Sequence, residues 1–178
     1  MSVVEVDLDT GRVVPVRHVA VDDCGRIVNP LLVDGQVHGG LASGIAQALW
    51  EQFVYDDDGN PLTSTLAEYA VPSAAELPSF EAAHTETLSP LNPIGAKGIG
   101  ESATIGSMPA VQNAVVDALS YLGVRHIDMP CTPERVWQAI QDARRGTLPS
   151  PWREPPAVFA NLPVRGAGEA APAEEIDL

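Results

Sequence analysis

The sequence predicts an α+β fold, a mixed sheet carrying amphipathic helices. Three observations carry that prediction. Apolar and polar residues alternate at the start of the chain, two later segments repeat apolar residues at helical spacing, and strand-like runs lie between them. With 178 residues, 45% of them hydrophobic, the chain is long enough for one domain with a real core.

The elements follow in order. Val3, Glu5 and Asp7 interleave with Val4, Val6 and Leu8, Asp9-Thr10-Gly11 reads as a turn, and a second β-rich run extends from Arg12 to Asp22. This is a hairpin. Two strands alone are marginal, so a larger sheet is expected around them. Asp22-Asp23-Cys24-Gly25 and Asn29-Pro30 punctuate the chain before a glycine-spaced segment, Gly35 to Gly44, which runs into a helix through Leu41, Ile45, Ala48, Leu49 and Phe53. Each of Gly35, Gly39, Gly40 and Gly44 costs a helix about 1 kcal/mol relative to Ala. Such spacing lets a second backbone or a ligand come close, and tight helix packing is the simpler reading.

Asp56-Asp57-Asp58-Gly59-Asn60 reads as a solvated turn, because it lacks the alternating ligands and distal Glu of an EF-hand loop. Strand-like runs are expected at Leu62–Leu66, Ser79–Thr87 and Val124–Met129. A helix is expected from Ser107, with Ser107 as N-cap, Pro109 in the first turn, a stripe of Val111, Ala114, Val115, Ala118, Leu119 and Leu122, and Gly123 at its end. Thr132-Pro133 opens a last helix with Val136, Ala139, Ile140 and Ala143 as its buried stripe. The folded unit is thus 1–145. Residues 146–178, punctuated by Pro149, Pro151, Pro155, Pro156, Pro163 and Pro172, read as an extended or disordered tail.

Composition excludes several function classes. The formal charge is 10 − 24 = −14, which opposes binding to nucleic acid or to an anionic membrane. No apolar run approaches a membrane span, and Met1-Ser2-Val3-Val4-Glu5 carries no secretory signal. Cys24 and Cys131, far apart, suit a reducing cytoplasm rather than a disulfide scaffold. His18, His38, His84 and His126 lack metal-ligand spacing, so no metal-ligating residue is assigned.

The most informative stretch is Asn92-Pro93-Ile94-Gly95-Ala96-Lys97-Gly98-Ile99-Gly100-Glu101, followed by a connecting run from Ser102 to Gly106. Closely spaced glycines let the backbone approach a ligand, and a carboxylate follows at once. The loop would present Glu101 beside backbone N–H groups that suit anionic oxygens. Gly98-x-Gly100-x-x-Ala103 superficially matches a dinucleotide fingerprint, but Pro90 and Pro93 stand where that motif needs a strand, and Asp117 falls inside a helix pattern.

Three segments together carry a family resemblance: Gly35-Gln36-Val37-His38-Gly39-Gly40, Asn92 to Glu101, and Met129-Pro130-Cys131-Thr132-Pro133-Glu134-Arg135-Val136-Trp137. In order and spacing, over roughly Val3 to Ala143, they resemble the C-terminal part of the molybdenum-binding large subunit of the xanthine dehydrogenase, aldehyde oxidase and aerobic carbon monoxide dehydrogenase family. The resemblance implies the C-terminal portion of a molybdopterin-binding domain. It implies an oxidoreductase that hydroxylates an aldehyde, an N-heterocycle or carbon monoxide with water-derived oxygen, with Glu101 as general base. It further implies a molybdenum–pyranopterin cofactor, in bacteria usually the cytosine dinucleotide. Gln36, Gly39, Gly40, Ser43, Gly44, Lys97, Gly98, Gly100 and Ser102 would meet that cofactor, Ser43 standing where relatives commonly have Gln. Iron–sulfur and FAD groups would sit on partner subunits or domains, and the upstream part of the same subunit would be a partner too. The chain would be inactive alone. A truncated, non-catalytic remnant with a structural role is the alternative.

Overall fold

The computed structural model describes residues 1–152 and 154–161. β1 (Ser2–Val6) and β2 (Val13–Asp23) form the expected hairpin, antiparallel with Val6 opposite Val13 and Glu5 opposite Val14. The Asp7 carboxylate closes the turn by accepting from the amides of Asp9 and Thr10. The larger sheet is completed by β3 (Phe80–Thr85), which pairs parallel with β2, His18 opposite Phe80 and Asp22 opposite His84. The sheet is therefore mixed, in the order β1-β2-β3.

Between β2 and β3 runs α1 (Pro30–Leu49). Asn29-Pro30, a break in the sequence pattern, starts this helix: the Asn29 side chain accepts from Leu32 N, and Pro30 occupies the first turn, where its missing N–H costs nothing. The helix ends at Leu49, so Phe53 lies beyond it and is exposed.

α2 (Ser102–Ala118) departs most from expectation. It begins five residues before Ser107, with Glu101 at the N-cap position, and Pro109 lies inside it. The reason is tertiary. Ala103, Thr104, Ser107 and Met108 pack against Gly40 and Gly44 of α1, and that contact holds residues 102–108 helical despite the hydrogen bond lost at Pro109. Ser107 is buried rather than capping, its hydroxyl directed at the carbonyls of Leu41 and Thr104. The Val111, Val115 and Leu119 stripe is fully buried, as its spacing requires. Gly123 closes a short 3-10 turn, Ser120–Leu122, that follows α2.

Two expected strands are absent among the described residues. Val124–Met129 is extended and buries Val124 and Ile127, but no strand lies alongside; the Gln112 side chain satisfies the Ile127 carbonyl at 2.8 Å. Leu62–Leu66 forms bends and turns, with Leu62 and Leu66 exposed and thus nothing to anchor a strand face. α3 (Pro133–Arg145) begins at the expected Thr132 cap and buries Val136 and Ile140. The third sequence motif proves architectural: Cys131 N donates to the Ala48 carbonyl at 2.7 Å, and Arg135 reaches the Pro130 carbonyl at 3.2 Å, tying α3 to the end of α1. Burial pushes the Cys131 thiol up to about 11. Of the expected tail, Ala157–Asn161 forms a 3-10 turn, and residues 153 and 162–178 lie outside the described residues.

Two outcomes test this packing. A side chain at Gly44 would run into Ser107 Oγ and stand 2.8 Å from the Thr104 carbonyl oxygen, so Gly44→Val should lower unfolding stability by about 3 kcal/mol or more. Gly35→Ala on the open side, which meets nothing within 4 Å, should not destabilise the chain. Denaturant melts of the two variants measure the contrast. Separately, burial lowers the His18 pKa below its ordinary 6.5, with the Met1 ammonium adding to the effect. The unfolded chain then binds more protons just below pH 6.5 than the folded chain does. Stability is full above that pH and falls as the pH drops through it. Melting temperature should decline between about pH 6.5 and pH 5, and His18→Phe should flatten that decline.

Candidate functional site

The candidate site is built where α1 crosses the start of α2. A Cβ on Gly40 would stand 2.9 Å from the Ala103 Cβ and 3.0 Å from the Thr104 amide, so the two backbones nearly touch there. Gly40 and Gly44 face α2 and are buried. Gly35 and Gly39 lie on another side of the same helix and meet nothing within 4 Å. The glycines thus divide into a packing pair and an open pair. Gln36, Gly39 and Ser43 share the open, exposed side at i, i+3 and i+7.

Glu101 lies two residues before Ala103, the residue that meets Gly40 of α1. Its side chain is exposed and makes no capping hydrogen bond to the helix it begins. Ser102 follows with its hydroxyl oxygen enclosed and without a protein partner. Gly98 and Gly100 are exposed, and a Cβ on either would meet open space. Neither has positive φ. The left-handed turn that shapes the loop falls instead at Gly95, φ +72°, whose carbonyl accepts from both Ser89 N (3.0 Å) and Arg26 N (3.1 Å).

Asp23, at the end of β2, pins the loop, a role that no sequence motif signalled. Its carboxylate accepts from Lys97 Nζ (3.0 Å), Gly25 N (2.8 Å) and Thr87 N (2.9 Å). Hydrogen bonds from Thr87, Gly25 and Lys97 hold its pKa well below the usual carboxylate range. Lys97 N also donates to the Cys24 carbonyl at 2.7 Å, and the Asn92 side chain spans the loop to both N and O of Ala96. Lys97 therefore anchors the loop at its base, with its ammonium engaged by Asp23. The four histidines form no metal cluster: among the described residues no group of three or more His, Cys, Asp or Glu could hold a metal ion.

The donor set is an exposed amide (Gln36), hydroxyls (Ser43, Ser102) and open glycine backbone (Gly39, Gly98, Gly100), with one free carboxylate (Glu101). An enclosed, unpartnered Ser102 hydroxyl and uncrowded glycines fit a large polar group rich in oxygen and nitrogen, such as a pyranopterin with its phosphate.

Comparison with known proteins agrees with this chemistry. Residues 1–78 match the family model described as a molybdopterin cofactor-binding domain. The carbon monoxide dehydrogenase large chain of Hydrogenophaga pseudoflava is 46% identical over 142 residues, covering 80% of this chain and 18% of that one. The nicotine 6-hydroxylase large subunit of Paenarthrobacter nicotinovorans is 41% identical over 152 residues, covering 85% of this chain and 19% of its own length. Among solved structures, quinoline 2-oxidoreductase from Pseudomonas putida 86 superposes with a TM-score of 0.76 at 45% identity, over 78% of this chain and 18% of that one. Reconstituted CO dehydrogenase from Oligotropha carboxidovorans gives the same TM-score, 0.76, at 41% identity, over 79% of this chain and 18% of that one. The chain spans less than a fifth of the length of each of these relatives.

If the open glycines face the cofactor, Gly39→Val and Gly98→Val should leave the fold of the isolated chain near normal while lowering molybdenum occupancy of the assembled protein. Metal analysis beside a thermal melt reads both quantities. Full molybdenum loading in both variants would remove this face from the site.

Proposed function

This chain belongs to the xanthine dehydrogenase, aldehyde oxidase and carbon monoxide dehydrogenase family as a segment of its molybdenum-binding large subunit, and from that premise we propose that it completes a molybdenum site and supplies the proton acceptor of a hydroxylase. The observation that supports this reading is the placement of Glu101: an exposed carboxylate, free of any capping bond, at the head of α2, two residues before the Ala103 that meets Gly40 of α1. When bound, the molybdenum–pyranopterin, in the cytosine dinucleotide form, supplies the two-electron redox chemistry of hydroxylation.

The chain's own residues do the rest. Gln36, Ser43 and Ser102 hydrogen-bond the cofactor's polar edge, and Gly39, Gly98 and Gly100 let its atoms approach the backbone. Gly40 and Gly44 set the distance between the helices that carry these groups. Lys97, its ammonium held by Asp23, fixes the base of the loop. Glu101 takes the proton released when the water-derived oxygen is transferred to an aldehyde, an N-heterocycle or carbon monoxide. A carboxylate suits that role because it is ionised at neutral pH and is presented on a braced loop rather than a free one.

The upstream part of the large subunit supplies the remaining cofactor contacts and the substrate-selecting residues, and iron–sulfur and FAD groups on partner subunits carry the electrons away. The assembly works in the cytoplasm, a compartment in which the buried Cys24 and Cys131 stay as free thiols. No helix among the described residues is long and apolar enough to cross a membrane.

Glu101→Gln in the assembled enzyme tests the reading. It keeps the size and polarity of the side chain and removes its ability to take a proton. Molybdenum content should be unchanged, and turnover should fall by about 10²–10⁴-fold. Near-normal turnover at full molybdenum loading would exclude Glu101 as the base.

A further inference from the structure

Among the described residues no element covers one face of the sheet. The helices pack on the face that carries Val13, His18 and Asp22, all buried. The opposite face carries Val3, Val14, Val16, Val19, Val21 and Ala83. Val3 is 43% exposed, Val14 38%, Val16 51% and Val21 62%. The register places these residues together: Val21 lies opposite Ala83, Val19 opposite Glu81, and Val3 opposite Arg17. A β-bulge between Val3 and Val4 adds Val16 to the same surface. Of the charges on this face, Arg17 and Glu81 pair, Arg17 Nη2 donating to Glu81 Oε2 at 2.7 Å, and Glu5 lies at its edge opposite Val14.

The pattern of β2 explains what such a face is for. A strand with one solvated face alternates apolar and polar residues, whereas a strand buried on both faces is apolar almost throughout. From Val13 to Val21 only Arg17 and His18 interrupt an apolar run. We propose that this outer face is the docking surface for the part of the large subunit that lies outside this chain, which lays an apolar, Leu/Ile/Val-rich layer across Val14, Val16 and Val21. The inference rests on the large-subunit reading above and adds to it where the two polypeptide portions meet.

The occupant follows from two further facts. The relatives are more than five times as long as the stretch this chain matches, so ample polypeptide of the same subunit is available to cover the face. A second copy of this chain fits poorly, because each copy carries a net charge of −14 and face-to-face pairing would bring those charges together.

The test uses two single-cysteine reporters, Val16→Cys and Val21→Cys. The native Cys24 and Cys131 are buried and give little background. Each variant is labelled with a maleimide, as the isolated chain and within the assembled molybdenum enzyme. Both reporters should label rapidly alone and be protected in the complex. In a second arm, Val16→Glu/Val21→Glu should weaken binding by on the order of 100-fold, because two carboxylates would be buried unpaired. The isolated double variant should keep its melting temperature, since its face is already in water. Undiminished labelling in the complex, failure of the wild-type chain to bind, or binding by the glutamate variant as tight as wild type would each overturn the proposal. Protection of the isolated chain that disappears on dilution would assign the face to a second copy and overturn it too. Glu101→Gln reads chemistry in a chain that still assembles, so failure there leaves this result intact, and the reverse also holds.

Discussion

The close crossing of α1 and α2 is the constraint on which the rest of the structure depends. Two glycines one turn apart remove the side chains that would otherwise hold the helices at the usual 8–10 Å separation. Gly40 and Gly44 then accept Ala103, Thr104 and Ser107 almost backbone to backbone. The gain in packing outweighs two costs: the entropy of glycine within a helix, about 1 kcal/mol each, and the hydrogen bond that Pro109 cannot make. Because the contact begins at Ala103, it also fixes where α2 starts. That start is what puts Glu101 at the head of the helix, with its side chain exposed. One packing decision therefore positions both halves of the candidate site.

A second constraint acts on the loop that leads into α2. Between β3 and α2 the chain has sixteen residues without regular structure, counted from Glu86 to Glu101, and a free loop of that length would not hold a carboxylate in place. Asp23 changes that. It gathers amides from its own turn and from Thr87, together with the Lys97 ammonium, so the end of β2, the exit from β3 and the base of the glycine loop share one carboxylate. The positive-φ turn at Gly95 gives the same strands a second tie through its carbonyl. At the tip Gly98, Gly100 and Glu101 are exposed, while Ile99 is half-buried against the cluster around Val37 and Leu41. Rigid base and open tip form a sound arrangement for presenting a proton acceptor.

Much of this was legible in the sequence, for physical reasons that differ from element to element. The α2 and α3 stripes could be read because Val111, Val115 and Leu119, and Val136 and Ile140, obey the period of a helix with one buried side. The hairpin could be read from alternation and a turn. The start of α2 could not, because Ser107 and Pro109 are strong local start signals and the deciding contact comes from residues more than sixty positions away. Val124–Met129 has the composition of a strand but no neighbour to pair with, and pairing is not a property of one segment. For the candidate site, Gln36, Gly39 and Glu101 were singled out through the family resemblance. Asp23 was not, since its role depends on Thr87 and Lys97, both distant in sequence. The glycine-spaced helix held two meanings at once, and only the structure separates Gly40 and Gly44, which pack, from Gly35 and Gly39, which stay open.

The distribution of apolar residues shows a division of labour across the sheet. Its inner face and the three helices form a core that includes Val13, Ile45, Val115 and Ile140, with every one of these side chains buried. That core accounts for the fold of the chain as it stands. It does not account for the valines on the outer face, nor for Val28, Leu31 and Leu32 around the start of α1, which are 70%, 80% and 65% exposed. Single exposed apolar residues are ordinary on any protein, but contiguous ones on a regular element mark surfaces meant for contact. Here they flank the element that carries Gln36 and Gly39. The exposed apolar residues and the proposed cofactor contacts are thus arranged around the same helix and sheet.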